Sequence, residues 1–321
     1  MSMADKAEAG ASVAIPTKLV TPSENALYDQ LETLATGKPL SFWRIALIRL
    51  KRDKLTLAAF AILGLISLLA LSAGLVSEHI LGVDPNATEL LATFQGPSAE
   101  HWLGTDQLGR DQLARLLYGA RISLSIGIFG TMVAIVLGVW IGVTAGYFGG
   151  RVDDGIMWFI NTVSSIPAFF LLLIVAALFQ LTPISLVLLF GLLGWIGAAR
   201  IVRGQVFSVK EREYILASKA LGSSGLSIML RHIIPNVLPI LIIVTVRDIG
   251  ILILTESALS FLGLGVQPPT ATWGSMLSKS QQYFRLGPHL VVFPGMLITI
   301  TVLCLYLIGD GLRDALDPRL R

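Results

Sequence analysis

Between Asp154 and Arg200 the chain runs through residues 155–199 without one Asp, Glu, Lys or Arg. A hydrocarbon core about 30 Å thick is crossed by about 20 helical residues, so a run of this length makes two crossings. Leu181-Thr182-Pro183 is its natural break, giving one span over residues 156–180 and another over 184–201. Pro167 lies inside the first and predicts a kink there. Soluble domains carry about 25% charged residues. This chain has 14% charged residues and a mean hydropathy of +0.75. The expectation is an all-α, polytopic membrane protein with six transmembrane helices. A net charge of +3 is too small to imply a nucleic-acid partner. The lone Cys304 sits in an apolar run as a core residue, which excludes a disulfide framework and a Cys-based metal site.

The chain opens on a polar, small-residue leader over residues 1–40, with Pro16, Pro22, Gly37 and Pro39, expected to be flexible. Residues 41–54 form a basic amphipathic segment with Arg44, Arg49, Lys51, Arg52 and Lys54. By the positive-inside rule it holds the N-terminus in the cytoplasm, with Phe42 and Trp43 at the headgroup level. The first apolar run begins near Leu55 after this long leader, so no cleavable signal peptide is read and residues 55–76 remain as span 1. The external loop over residues 77–119 is long. Within it Thr105 or Asp106 is predicted to cap a short helix that lays Leu113, Leu116 and Leu117 on the bundle, a structural cap without substrate contact.

Span 2, residues 122–148, carries Gly138, Gly142 and Gly146 every four residues, a ridge that admits a close helix neighbour. A short inner loop, GGRVDDG, follows with Arg151, Asp153 and Asp154, and Arg200 and Arg203 close span 4 on the cytoplasmic side. Span 5 covers residues 235–256. The next external loop, residues 257–287 and on to 289, has the Pro, Gly and Trp content of a re-entrant or interfacial segment. Span 6 covers residues 290–308 and precedes a basic tail with Arg313, Arg319 and Arg321. An even number of spans puts both termini on one side, and the Lys/Arg-rich leader, finger and tail make that side cytoplasmic.

The longest charged break in the C-terminal half is SVKEREYILASKALGSSGLSIMLRHIIPN, residues 208–236. Ser208 with Glu211 reads as a capping box opening a helix that runs to Leu221 and stops at Gly222. Ser223 or Ser224 then caps a second short helix bounded by Pro235. Tyr214, Ala217 and Leu221 fall on one face. The physical reading is a helix-turn-helix finger between two spans, which by itself also describes an interfacial amphipathic loop.

The residues Glu213-Tyr214-x-x-Ala217-Ser218-x-x-Leu221-Gly222, then Arg231-His232-Ile233-x-Pro235-Asn236, closely resemble the coupling loop of binding-protein-dependent ABC importer permeases. The nearest branch is the C-subunit type of the dipeptide and oligopeptide group. Stretches around HWLGTDQLGRDQLARLLYG and SALSFLGLGVQPPTATWGSML, and the tail, are similar to the same family, so the resemblance covers roughly residues 100–321. Trp158 and Asn161 depart from it, standing where a basic and an acidic residue are common. The resemblance implies a type I ABC importer permease fold, with cytoplasmic coupling helices between spans 4 and 5 in a loop over residues 204–235. It implies a role for Glu213, Tyr214, Ala217, Ser218, Leu221, Gly222, Arg231 and Pro235 in docking an ATPase. It also implies a second homologous permease, two ABC ATPase subunits that carry ATP and Mg, and an extracytoplasmic solute-binding protein. This chain would bind no cofactor, and the location would be the cytoplasmic (inner) membrane of a prokaryote. Peptides are the expected cargo, with nickel chelates, glutathione or oligosaccharides as alternatives.

No nucleotide-binding P-loop, H-E-x-x-H pair or recognisable nucleophile–base spacing is present, which points to a non-catalytic subunit powered by others. His79, His101, His232 and His289 are scattered and read as interfacial or capping residues. Charge at membrane depth is confined to Arg247 and Asp248, with Glu256 near the outer end of span 5. Such a charge costs about 2.5–3.5 kcal/mol on insertion scales unless it is paired or hydrated. Asn161, Pro167, Arg247, Asp248 and Glu256 are therefore the candidate pathway residues. Helix geometry turns Arg247 and Asp248 about 100° apart, so one can face a hydrated pathway or both can bridge to a partner permease. A stand-alone secondary transporter would show inverted repeats and ionisable groups in both halves, and neither is found.

Overall fold

The computed structural model describes residues 42–278 and 280–316, so the leader and the tail's Arg319 and Arg321 lie outside the described residues. The N-terminal unit, Met1–Ile45, is described only from Phe42, where it begins helix α1, Phe42–Arg52. One residue separates α1 from α2, Lys54–Leu71. That residue, Asp53, caps α2 by accepting hydrogen bonds from the amides of Leu55 and Thr56. Ala73–Leu75 and a π-helical turn, Val76–Leu81, carry the chain out of span 1.

Helix α3, Gln112–Phe148, is longer than expected and corrects the capped short helix before span 2. Asp111, not Thr105 or Asp106, supplies the cap, accepting from the Ala114 amide at 2.8 Å. Asp106 is taken up elsewhere: it accepts from the amides of Leu108 and Arg110 and pairs with the Arg110 guanidinium at 2.7 Å. Leu116 is consequently buried on the same helix that crosses the membrane, which at 1.5 Å per residue is about 55 Å long. The GGRVDDG segment is no loop either. The chain reverses at Gly149 and Gly150, and α4, Gly150–Ser164, starts at once.

α4 and α5, Ala168–Leu178, are bent by 66° from one another at the break holding Pro167. The predicted kink is thus a full interruption, with Pro167 as the N-cap residue of α5. Among the described residues five helices are long and apolar enough to cross a membrane, and the bent pair α4 and α5 makes six where it counts as one broken span. α6, Pro183–Lys210, opens on the capping box of Thr182 and Ser185. It extends past Ile201 to Lys210, so the finger starts at Glu211, and Ser208 lies within α6 and opens no new helix.

α3 and α6 form the main helix pair of the bundle, and the glycine ridge is why they approach so closely. A Cβ on Gly138 would lie 2.5 Å from Ala198 Cβ, and one on Gly142 would lie 2.5 Å from the Ala199 carbonyl oxygen. One on Gly146 would lie 2.7 Å from Val206 Cβ. Only glycine permits this separation.

In the finger, α7 is Glu213–Ala220. Gly222 closes it at φ +85, the left-handed conformation glycine adopts without strain. Ser224 then accepts from the Ser227 amide and opens α8, Gly225–Phe261. α8 is α-helical at Gly225–Ile228, π-helical at Met229–Ile233 and α-helical again at Ile234–Phe261. The second finger helix is therefore the beginning of span 5, and Pro235 sits in its first α turn after the π segment rather than ending a separate helix.

Beyond Phe261 the segment expected to be re-entrant folds onto the bundle through the short helix α9, Trp273–Leu277. Trp273 is fully buried. Its backbone amide donates to Ser123 Oγ and its indole N–H to the Leu116 carbonyl, both at 3.1 Å. α10, His289–Leu316, is the last span and packs Cys304 among Ala59 and Ile308. At this end of the bundle, away from the finger, the loop over residues 77–111 forms a lid with buried charge. Arg115 Nε lies 3.5 Å from Asp106, His101 Nδ1 is 3.0 Å from Asp111, and His289 Nε2 is 2.9 Å from the Thr105 carbonyl. Gly109, at φ +74, lets the backbone pass where a Cβ would lie 1.8 Å from the Glu89 carbonyl. His101 and His289 thus tie this loop together and to α10.

Candidate functional site

The finger is held from below and bare above. Ile215, 2% exposed, is the only buried residue of α7 and plugs into Val202, Val206 and Val209 of α6 and Ile228, Met229 and Ile233 of α8. Gly225 meets the Tyr147 ring of α3, where a Cβ would stand 3.0 Å away. Lys210 Nζ donates to the Gly146 carbonyl at 2.9 Å, joining the end of α6 to the end of α3. Arg203 grips Asp153 of α4 with two hydrogen bonds, one of them 2.6 Å. The ends of α3, α6 and α8 thus share one apolar cluster with α7.

Glu213, Tyr214, Ala217 and Leu221 all face outward, Leu221 at 88% exposure. Arg231 is exposed on the π turn, and Pro235 is exposed one helical turn on. Ser218 differs: its hydroxyl donates to Ser223 Oγ at 3.0 Å and lies 3.5 Å from His232 Nε2, so it ties the turn together. The finger residues named from the sequence thus form one surface of apolar side chains rimmed by Glu213 and Arg231, with Gly222 and Ser218 shaping the turn behind it.

The membrane-level residues divide. Arg247 and Asp248 line a cavity of about 230 Å³ bounded by α3, α6 and α8, with Thr131, Gly194 and Gly197 in its wall. They meet each other at 3.5 Å despite their angular separation, through the length of the arginine side chain. Glu256 takes no part in this cavity. It is fully buried, and its Oε1 accepts from Ser260 at 2.7 Å and from Thr272 at 2.8 Å, which fastens α8 to the cap of α9. Asn161 and Pro167 are exposed and lie away from the cavity; Asn161 accepts from Arg200 Nη2 at 3.2 Å. Arg200 and Arg203 lie within α6 and brace it against α4. Thr131 is the wall residue that sequence reasoning missed, since a threonine in an apolar span carries no signal of its own.

A multi-pass helical bundle with a rooted, outward-facing finger and a charged internal cavity defines a membrane transport component. Residues 117–321 match the family described as binding-protein-dependent transport system inner membrane component. Residues 41–97 match the N-terminal TM domain of oligopeptide transport permease C. The chain belongs to the binding-protein-dependent transport family and has its type I ABC permease fold. It is 37% identical to the oligopeptide transport system permease protein OppC of Bacillus subtilis (strain 168), over 88% of this chain and 92% of that protein. It is 37% identical to the dipeptide transport system permease protein DppC of Alkalihalophilus pseudofirmus, over 94% and 97%. It is 38% identical to the nickel transport system permease protein NikC of Escherichia coli (strain K12), over 80% and 92%. The resemblance read over roughly residues 100–321 thus extends through α1 and span 1.

Proposed function

We propose that this chain is one transmembrane half of an ATP-driven importer of di- or oligopeptides. A second homologous permease completes the pathway, two ATPase subunits bind and hydrolyse ATP with Mg, and an extracytoplasmic binding protein delivers the peptide. The finger and both termini face the cytoplasm of a prokaryotic cell, and the membrane is the inner one. The observation that carries this reading is the finger: an exposed surface of Tyr214, Ala217 and Leu221, rooted through Ile215 in the apolar cluster where three spanning helices end. Closure of the ATPases would push on α7 and, through that root, tilt α3, α6 and α8 to alternate access. Peptide cargo is supported by the oligopeptide and dipeptide permeases above, and nickel is the second reading because a nickel permease is equally similar.

The test is a pair of finger variants in the assembled transporter. Gly222→Pro cannot keep φ +85, since proline fixes φ near −65°. Glu213→Lys reverses the charge at the start of α7. Both are expected to abolish uptake while the chain still inserts in the membrane and the ATPases still turn over ATP. Normal uptake in both variants refutes the coupling role.

A further inference from the structure

The cavity between α3, α6 and α8 contains one feature that neither the fold nor the coupling role requires. Thr131 is 1% exposed, yet its hydroxyl has no hydrogen-bond partner. Elsewhere in the spans Thr144, Thr245 and Thr299 satisfy their hydroxyls on the carbonyl four residues back, while Thr301, fully buried in α10, is like Thr131 without a partner among the described residues. A buried hydroxyl left without a partner costs about 1–3 kcal/mol, and what sets Thr131 apart from Thr301 is its place in the cavity wall with Arg247 and Asp248. In the same wall Arg247 and Asp248 touch at a single 3.5 Å contact, about 0.6 Å longer than an ordinary charged hydrogen bond. Both charges are therefore available for exchange. Gly197 opens the α6 side, where a Cβ would meet nothing within 4 Å. Its lack of a side chain enlarges the cavity and is not needed for helix packing.

We infer that this cavity is a transient binding site for the zwitterionic end groups of the cargo. Arg247 takes a free carboxylate, Asp248 takes a free ammonium, and Thr131 supplies the neutral hydrogen bond between them. Binding exchanges the Arg247–Asp248 contact for two better-formed ion pairs, so the intramembrane charges stay compensated whether the site is empty or full. Drug-sized ligands fill cavities of about 300–1,000 Å³. At about 230 Å³ this one holds the backbone of a dipeptide, whose two termini supply both ion pairs, and leaves side chains unread. The inference rests on the peptide-importer reading and specifies which chemical groups of the peptide the permease itself recognises.

The experiment uses the complete transporter with its binding protein in proteoliposomes. Uptake of dialanine, N-acetyl-dialanine and dialanine amide is measured at saturating peptide, so that capture by the binding protein does not set the rates. Arg247→Gln is expected to lower the dialanine-to-amide uptake ratio about tenfold, and Asp248→Asn the dialanine-to-acetyl ratio by about the same factor. Thr131→Val, which keeps the shape and removes the hydroxyl, is expected to lower dialanine uptake about threefold. Gly197→Leu puts its Cβ where nothing lies within 4 Å and narrows the cavity, and is expected to lower dialanine uptake at least about fivefold. Unchanged ratios in Arg247→Gln and Asp248→Asn overturn the inference, as does an equal loss of all three compounds, which a structural role would give. Unchanged dialanine uptake in Gly197→Leu also overturns it. A wild-type transporter that turns over ATP and moves none of the three compounds refutes peptide cargo itself, before any variant is compared.

Discussion

Replacing Gly142 by alanine sets two effects against each other. In a helix interior the substitution gains about 1 kcal/mol, because alanine loses less backbone freedom on folding. At Gly142 the new methyl would lie 2.5 Å from the Ala199 carbonyl oxygen and 2.8 Å from Val202 Cβ, where ordinary contact begins at 3.4 Å. The obstacle at Ala199 is backbone, so relief requires α3 and α6 to separate, and overpacking of this kind costs about 1–3 kcal/mol. The collision wins by about 1 kcal/mol. Gly64 in α2 supplies the opposite case, since its Cβ would meet nothing within 4 Å. Gly64→Ala is expected to stabilise by about 0.5–1 kcal/mol. At roughly 2 °C per kcal/mol for a chain of this size, the two variants should fall on opposite sides of wild type and roughly 3 °C apart. The assay is the thermal unfolding midpoint of the purified transporter in nanodiscs. A Gly142→Ala midpoint above wild type would refute the account of the α3–α6 contact.

Further outcomes follow from the same packing. Trp273→Ala should destabilise by about 3–5 kcal/mol, and Trp273→Phe by about 1 kcal/mol through the lost indole hydrogen bond; limited proteolysis of the segment after Phe261 reads both. Asp153→Ala leaves the Arg203 guanidinium without its two hydrogen bonds and should cost about 2 kcal/mol, whereas Asp153→Glu should recover part of it; unfolding midpoints report both. The Asp53 carboxyl is held below the usual aspartate value of 3.8 by hydrogen bonds from the Thr56 hydroxyl and from the backbone amides of Thr56 and Leu55. Its folded value is depressed, so the cap is fully present above pH 3.8 and is lost as pH falls through the lower folded value. Hydrogen exchange in the first turn of α2 should accelerate only in that acidic window, and in Asp53→Ala at neutral pH as well.

The spans, the glycine ridge and the finger turn were legible because each rests on local chemistry. Uncharged length gives a crossing, i to i+4 glycines give a close neighbour, and Gly222 followed by Ser224 gives a stop and a start. The failures came where tertiary packing competes with a local signal. Ser208 and Glu211 have the spacing of a capping box, but Val202, Val206 and Val209 are buried on one stripe, and Lys210 reaches the Gly146 carbonyl. Burial therefore carries α6 through the cap signal. Thr105 and Asp106 misled for a similar reason: Arg110 and Arg115 had already taken the carboxylate, which no local pattern reveals. Glu256 was visible as a charge at depth, but its partners Ser260 and Thr272 lie on two sides of a loop whose path depends on the whole bundle. Thr131 carries no mark in the sequence, because what distinguishes it is a hydrogen bond it does not make.

The central claim is that this chain transports only as part of an ATP-driven assembly engaged through its finger. Purification of the chain from native membranes in mild detergent, with mass spectrometry of what accompanies it, tests that most directly. The account predicts a second six-span permease and one or two ATPases. A chain recovered alone and still moving solute into liposomes without ATP would contradict it.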